Sequence, residues 1–242
     1  MISWQDTGII LSVRPHGENG GVVALLTQKH GRAMGYVYGA TSARMRGLLE
    51  IGNIVSATWQ AKSHDQLGSY TLELEESAAA HVIDDPAKLT ALQSACALAD
   101  KTLPENESHP GVFEGMRALL ASFRTEIWAA TYIYWEIGLL RELGFGLDLA
   151  KCVSTGVVDN LLYVSPKSGC AVSAAAGEEY KDRLLLLPSF LRGGGEMEDE
   201  DILQGLKLTG HFLLHRVFSL ANSNLPEPRL RLEEKYEKRQ KA

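Results

Sequence analysis

Cysteine is scarce in this chain, with only Cys96, Cys152 and Cys170 among 242 residues. Three scattered thiols exclude a disulfide framework, and their odd number points to a reducing compartment; each is expected as a small buried hydrophobe. No apolar run reaches the roughly 18 residues a membrane-spanning helix needs. The first residues, MISWQDTGIILSVRPHGENG, show neither a basic lead nor a small-residue cleavage site, so a strand is expected there and not a secretory signal. Enzyme signatures are also missing: there is no GxSxG elbow, HExxH helix, Walker loop or GxGxxG turn. His211 and His215 stand at i, i+4, but no glutamate follows His211 and no third ligand is evident. They are expected at the surface or the edge of a core.

What is present is an ordinary globular composition, 45% hydrophobic and 22% charged, enough for a sizeable core. The net charge of −6, taken whole, argues against a nucleic-acid partner. Its distribution argues otherwise. From Arg14 to Lys62 there are six basic residues against two acids; from His81 to Pro228, twelve against twenty; from Arg229 onward, six against three. A basic head, an acidic body and a basic-leaning tail imply separate jobs.

The first 76 residues read as short strands: Gly8 to Arg14, Val22 to Gln28, Ala33 to Tyr38, Ile54 to Lys62 and Ser69 to Glu75. Tight turns join most of them, including Ser63 to Gly68, with one long excursion from Gly39 to Gly52. Five strands with that excursion after the third suit an OB-type β-barrel over residues 1–80; an SH3-like barrel or half-sandwich competes. Beyond residue 80 the period becomes helical. Asp85-Pro86 caps one helix, and Val112 to Phe123 and Glu126 to Leu143 continue. The whole is therefore expected to be α+β, with a mainly α-helical domain over 81–242. A ribbon-like insertion lies at about 151–173, short helices at about 174–187, and a flexible Gly193-Gly194-Gly195 link runs into the acids Glu196 to Asp201. A last long helix is expected from Ile202 to Ala221.

Lys29 and Arg32 flank a tight turn, and Arg44 and Arg46 lie in the long excursion. With Arg14 and Lys62 they form the basic set expected to meet phosphates, since cations on flexible barrel loops can track a strand. Trp59, Tyr36, Tyr38 and Tyr70 are candidate stacking faces, although alternation along the strands sends about half of them inward. In the insertion, Cys152 is followed by Thr155 and Cys170 by Ser173. Two thiols do not close a tetrahedral zinc site, so no metal is expected.

The collinear order of these features resembles the RecO family of DNA-repair proteins. Its carriers are the strand ending in Arg14, the His16-Gly17-Glu18 turn, Thr27-x-Lys29-His30-Gly31-Arg32, Gly39-Ala40 and the loop with Arg44 and Arg46. Further on come Leu72-x-Leu74-Glu75, then Trp135-Glu136, Leu139-Leu140, Leu143-Gly144-Phe145 and Leu147-Asp148 running into Cys152. The resemblance implies a cytoplasmic, nucleoid-associated mediator without catalytic residue or cofactor. Such a protein binds single- and double-stranded DNA, anneals strands held by single-strand-binding protein, and acts with RecR to load RecA. It implies a four-cysteine zinc site in many members, which Thr155 and Ser173 interrupt here. It also implies a groove for the acidic C-terminal tail of single-strand-binding protein, for which Arg117, Arg124 and Arg141 are the candidate cations. Two other readings stand beside it: an adaptor whose barrel binds protein instead of DNA, and a hydrolase whose site only folding assembles.

Overall fold

Alternation of apolar and polar side chains in the first third drives strand formation, because it places one face of each strand in a shared interior. In the computed structural model, which describes residues 1–63, 66–194 and 197–241, five strands close on themselves. They are β1 (Ile2–His16), β2 (Gly20–Thr27), β3 (Gly31–Val37), β4 (Ile54–Ala61) and β5 (Gly68–Glu76), in the order β1-β2-β3-β5-β4. The β3–β5 contact is parallel and the rest are antiparallel. Ile10, Val23, Leu25, Val55, Trp59 and Tyr70 fill the interior. β1 is twice as long as its apolar run suggests. Ile2 to Ile9 pair with β4 and Gly8 to His16 pair with β2, the latter ladder shifting register between Ile10 and Ser12.

The long excursion after β3 holds a short helix, α1 (Ala43–Leu48), started by the Ser42 side chain accepting from the Met45 N–H at 3.4 Å. Two helices complete a first compact unit, Met1–Arg124: α2 (Pro86–Thr102), capped by Asp85, and α3 (Pro110–Ser122). α2 packs on β1 and β2.

The second unit, Thr125–Ala242, is mainly helical, so the fold as a whole is α+β. Its helices are α4 (Trp128–Glu142), the short α5 (Ala174–Gly177), α6 (Asp199–Phe212) and α7 (Glu227–Arg239). After α6 the chain passes through a π turn, Leu213–Phe218, and stops at Asn222, whose φ of 50° is left-handed. A three-stranded sheet, β6 (Leu161–Val164), β7 (Ala171–Ser173) and β8 (Leu185–Leu186), takes up the ribbon-like segment and recruits its third strand from beyond α5. α7 falls in the charged tail, where no helix is expected from the sequence. Its first-turn Arg229 explains its place. The guanidinium is fully buried and donates to Glu136 of α4 through Nε at 2.6 Å, to the Leu206 carbonyl at 2.6 Å and to Glu233 at 3.1 Å. Glu136 also accepts from the hydroxyls of Tyr132, at 2.7 Å, and Thr209. Three helices are thus tied through one buried ion pair.

His64 and Asp65 of the expected turn, and Gly195 and Glu196 of the expected link, lie outside the described residues. Among the described residues, no helix is long and apolar enough to cross a membrane.

Candidate nucleic-acid interface

The barrel leaves one face open between the β1–β2 turn and the β4–β5 connection. A depression of about 630 Å³ there is lined by His16, Tyr36, Tyr38, Gln60, Lys62 and Leu67, among others. Oligonucleotides bind OB folds on this face, bounded by these two loops. Tyr36 reaches it because Gly20 has no side chain: a Cβ there would lie 1.7 Å from the Tyr36 hydroxyl. Tyr38 follows at the end of β3 and is 75% exposed. The two rings meet edge to face at 4.7 Å, and His16 meets Tyr36 likewise at 6.0 Å. An exposed aromatic cluster beside a lysine can stack bases and neutralise phosphate together. Of the four aromatic candidates, Trp59 and Tyr70 are buried, and burial first, then Asp6, pushes the Tyr70 hydroxyl well above its ordinary pKa.

The six expected cations separate into two groups. Lys29, Arg44, Arg46 and Lys62 are exposed, and none of them forms an ion pair among the described residues. Arg44 and Arg46 stand on α1, at whose approach the Thr41 hydroxyl lies 3.5 Å from Asn19 Oδ1 in the β1–β2 turn. Arg14 is exposed but paired with Asp100 at 3.1 Å. Arg32 is placed differently. Its side chain is 13% exposed and donates to the Leu103 carbonyl at 2.8 Å, to Asp100 at 3.3 Å and to Glu105 at 3.1 Å. It fastens the barrel to the segment after α2, and sequence carries no sign of that.

The partner-binding candidates divide between the units. Arg117 is exposed on α3; Arg124 pairs with Glu76 at 2.9 Å and lies 2.7 Å from His81; Arg141 is exposed in the last turn of α4. The apolar residues of α3, such as Phe113, Met116 and Leu119, are buried.

In the ribbon-like segment, backbone hydrogen bonds close a tight turn at Cys152 and join it to β7. The Cys152 N–H donates to the Val157 carbonyl at 2.7 Å, Gly156 N–H to Cys152 at 2.8 Å, and Val153 N–H to Ala171 at 2.9 Å. This brings Thr155 and Ser173 to the buried Cys152. Burial pushes its thiol up, but the hydroxyls and backbone of Ser173 and Thr155 outweigh that and bring it down to about 6. Two thiols and two neutral hydroxyls do not fit a structural zinc ion, which takes four nitrogen or sulfur ligands or carboxylates. Among the described residues, no group of three or more His, Cys, Asp or Glu side chains could hold a metal. His211 is half-buried and His215 exposed, their rings 4.4 Å apart.

Family models for "Recombination protein O N terminal" and "Recombination protein O C terminal" match residues 1–78 and 83–224. The chain belongs to the RecO family. It is 51% identical over 239 residues to the DNA repair protein RecO of Rhodospirillum centenum, covering 98% of this chain and 96% of that one. The RecO proteins of Caulobacter sp. and Rhodospirillum rubrum are 45% and 42% identical over 231 and 243 residues. They cover 95% and 97% of this chain, and 95% and 96% of their own lengths. Membership of the RecO family assigns the chain to DNA repair and recombination.

Proposed function

We propose that this chain is a recombination mediator that binds single-stranded DNA across the open face of its barrel and works by binding alone, without covalent chemistry. The observation that carries this is the exposed His16–Tyr36–Tyr38 cluster beside Lys62 on the barrel face suited to oligonucleotides. Arg44, Arg46, Lys29 and the half-committed Arg14 supply phosphate contacts, which also serve double-stranded DNA because they carry no base information. Holding two strands in this way favours annealing. Capture of the single-strand-binding protein tail through Arg117, Arg124 or Arg141, cooperation with RecR and loading of RecA complete the reading, in the cytoplasm at the nucleoid. Family membership supports these steps. An adaptor binding only protein would leave the open aromatic cluster and its cations without a use.

Titration of a fluorescent oligonucleotide at low and high salt tests the reading. Each single-strand phosphate contact adds about 0.7 to the log–log salt slope, so Arg44→Ala/Arg46→Ala should flatten it by about 1.4. An unchanged slope removes α1 from the interface, and no binding by the wild-type protein favours the adaptor.

A further inference from the structure

A second depression of the first unit, about 750 Å³, lies at the β2–β3 hairpin. Its floor is an aromatic ladder. Trp4 stacks on His30 at 4.3 Å and 10°, and on its cross-strand partner Trp59 at 5.6 Å and 12°. The ladder is held still. Buried Asp6 lies 2.9 Å from His30 Nδ1 and accepts the Lys29 N–H at 2.8 Å, while Trp59 Nε1 donates to the Met34 carbonyl at 3.0 Å.

The opposite wall is the segment containing Glu105, Asn106 and Ser108, clamped onto the hairpin. Arg32 holds Glu105, and the Asn106 N–H donates to the Arg32 carbonyl at 2.8 Å. Gly31, at φ +66°, permits the approach, since a Cβ there would lie 1.7 Å from the Glu107 carbonyl oxygen. The Gln66 and Asn106 amides and the Ser108 hydroxyl line the cleft and make no side-chain hydrogen bond among the described residues. Lys29 stands at the same cleft, exposed.

Flat aromatic faces, uncommitted donors and acceptors, and a neighbouring cation suit one class of ligand: a planar heterocycle with a hydrogen-bonding edge, attached to a phosphate. We propose that this cleft receives one unpaired base of single-stranded DNA, stacked on the part-exposed His30 end of the Trp4–Trp59 ladder with Lys29 at its phosphate. The inference rests on the proposed DNA binding and extends it. Gln66 and Leu67 line both depressions, so a strand leaving the open face reaches the cleft past these two residues. A base held there is withdrawn from pairing, which gives the protein a means to tell single strands from duplex.

The test compares oligo-dT with an abasic strand of the same length, using the full chain. Ser108→Leu fills the cleft from its exposed wall. It should weaken oligo-dT binding about tenfold, the worth of one stacked base, and leave abasic binding unchanged. In the wild-type protein, tryptophan emission should be quenched by oligo-dT and not by the abasic strand, a result that needs no variant to fold. Equal effects on both strands, or none on either, overturn the proposal. If Ser108→Leu is silent while Tyr38→Ala weakens binding, the cleft falls and the open face stands; if the wild-type protein binds neither strand, both fall.

Discussion

Replacing Arg229 with methionine removes the cation that reaches both oxygens of buried Glu136, at 2.6 and 3.2 Å. Both side chains are 0% exposed, so the carboxylate left behind has no water to replace the guanidinium. Burial alone would lower the pKa of Arg229, but Glu136 beside it outweighs this and holds the arginine charged. Breaking such a pair from one side costs about 3–5 kcal/mol, because the remaining charge stays desolvated and unpaired. For a unit of this size that corresponds to a fall in melting temperature of roughly 10–20 °C. Glu136→Gln/Arg229→Met should recover most of the loss. The glutamine oxygen still accepts from Tyr132 and its amide can donate to the Thr209 hydroxyl, while Glu233, which also loses the arginine, keeps access to solvent. Urea denaturation followed by circular dichroism at 222 nm measures Arg229→Met, Glu136→Gln and the double variant. A single-variant loss below about 1 kcal/mol, or a double variant as damaged as the sum of its parts, would falsify the buried-pair account.

Arg32→Ala should destabilise the first unit by about 1–3 kcal/mol, the range for a lost charge-assisted hydrogen-bond cluster, while leaving the salt slope of DNA binding as it was. A flattened slope with unchanged stability would make Arg32 a phosphate contact after all. Purified protein should contain no stoichiometric zinc by elemental analysis; one zinc per chain would show that ligands other than Cys152 and Cys170 complete a site. Charge reversal at Arg117, Arg124 or Arg141 should weaken capture of a single-strand-binding-protein tail peptide without altering oligonucleotide binding. If all three reversals leave peptide affinity unaltered, the tail docks elsewhere.

The barrel was legible because its signal is a period: alternating side chains in β3 and β5 have only one way to share an interior, and turn residues separate the runs. α1 left little trace, since six residues including a glycine carry no periodic stripe. α7 was hidden by its own charge; Leu232 and Tyr236 are buried, but among so many lysines and glutamates they do not read as a face. Glu136 did offer a clue. A lone carboxylate amid Trp135, Leu139 and Leu140 requires a buried partner, though nothing local says that the partner lies 93 residues on. The cations of the candidate site were visible as a group. Their division into free and fastened members was not, because Arg32 differs from Arg44 only in what the fold brings beside it.

The clamp at Arg32 and Gly31 bears on how the protein can be divided. The family's N-terminal match ends at residue 78, yet the compact unit runs to Arg124. A fragment cut at residue 80 would keep all five strands but lose α2, the acid that Arg14 and Arg32 share, and the segment that walls the cleft. It would bare the flank of β1 and β2 that α2 covers and turn a seated arginine into a loose one. On the proposed DNA binding, such a piece should hold nucleic acid more promiscuously than its parent, through a cation that Asp100, Leu103 and Glu105 engage in the intact molecule. The smallest portable form of the barrel is therefore the one that carries both of its following helices.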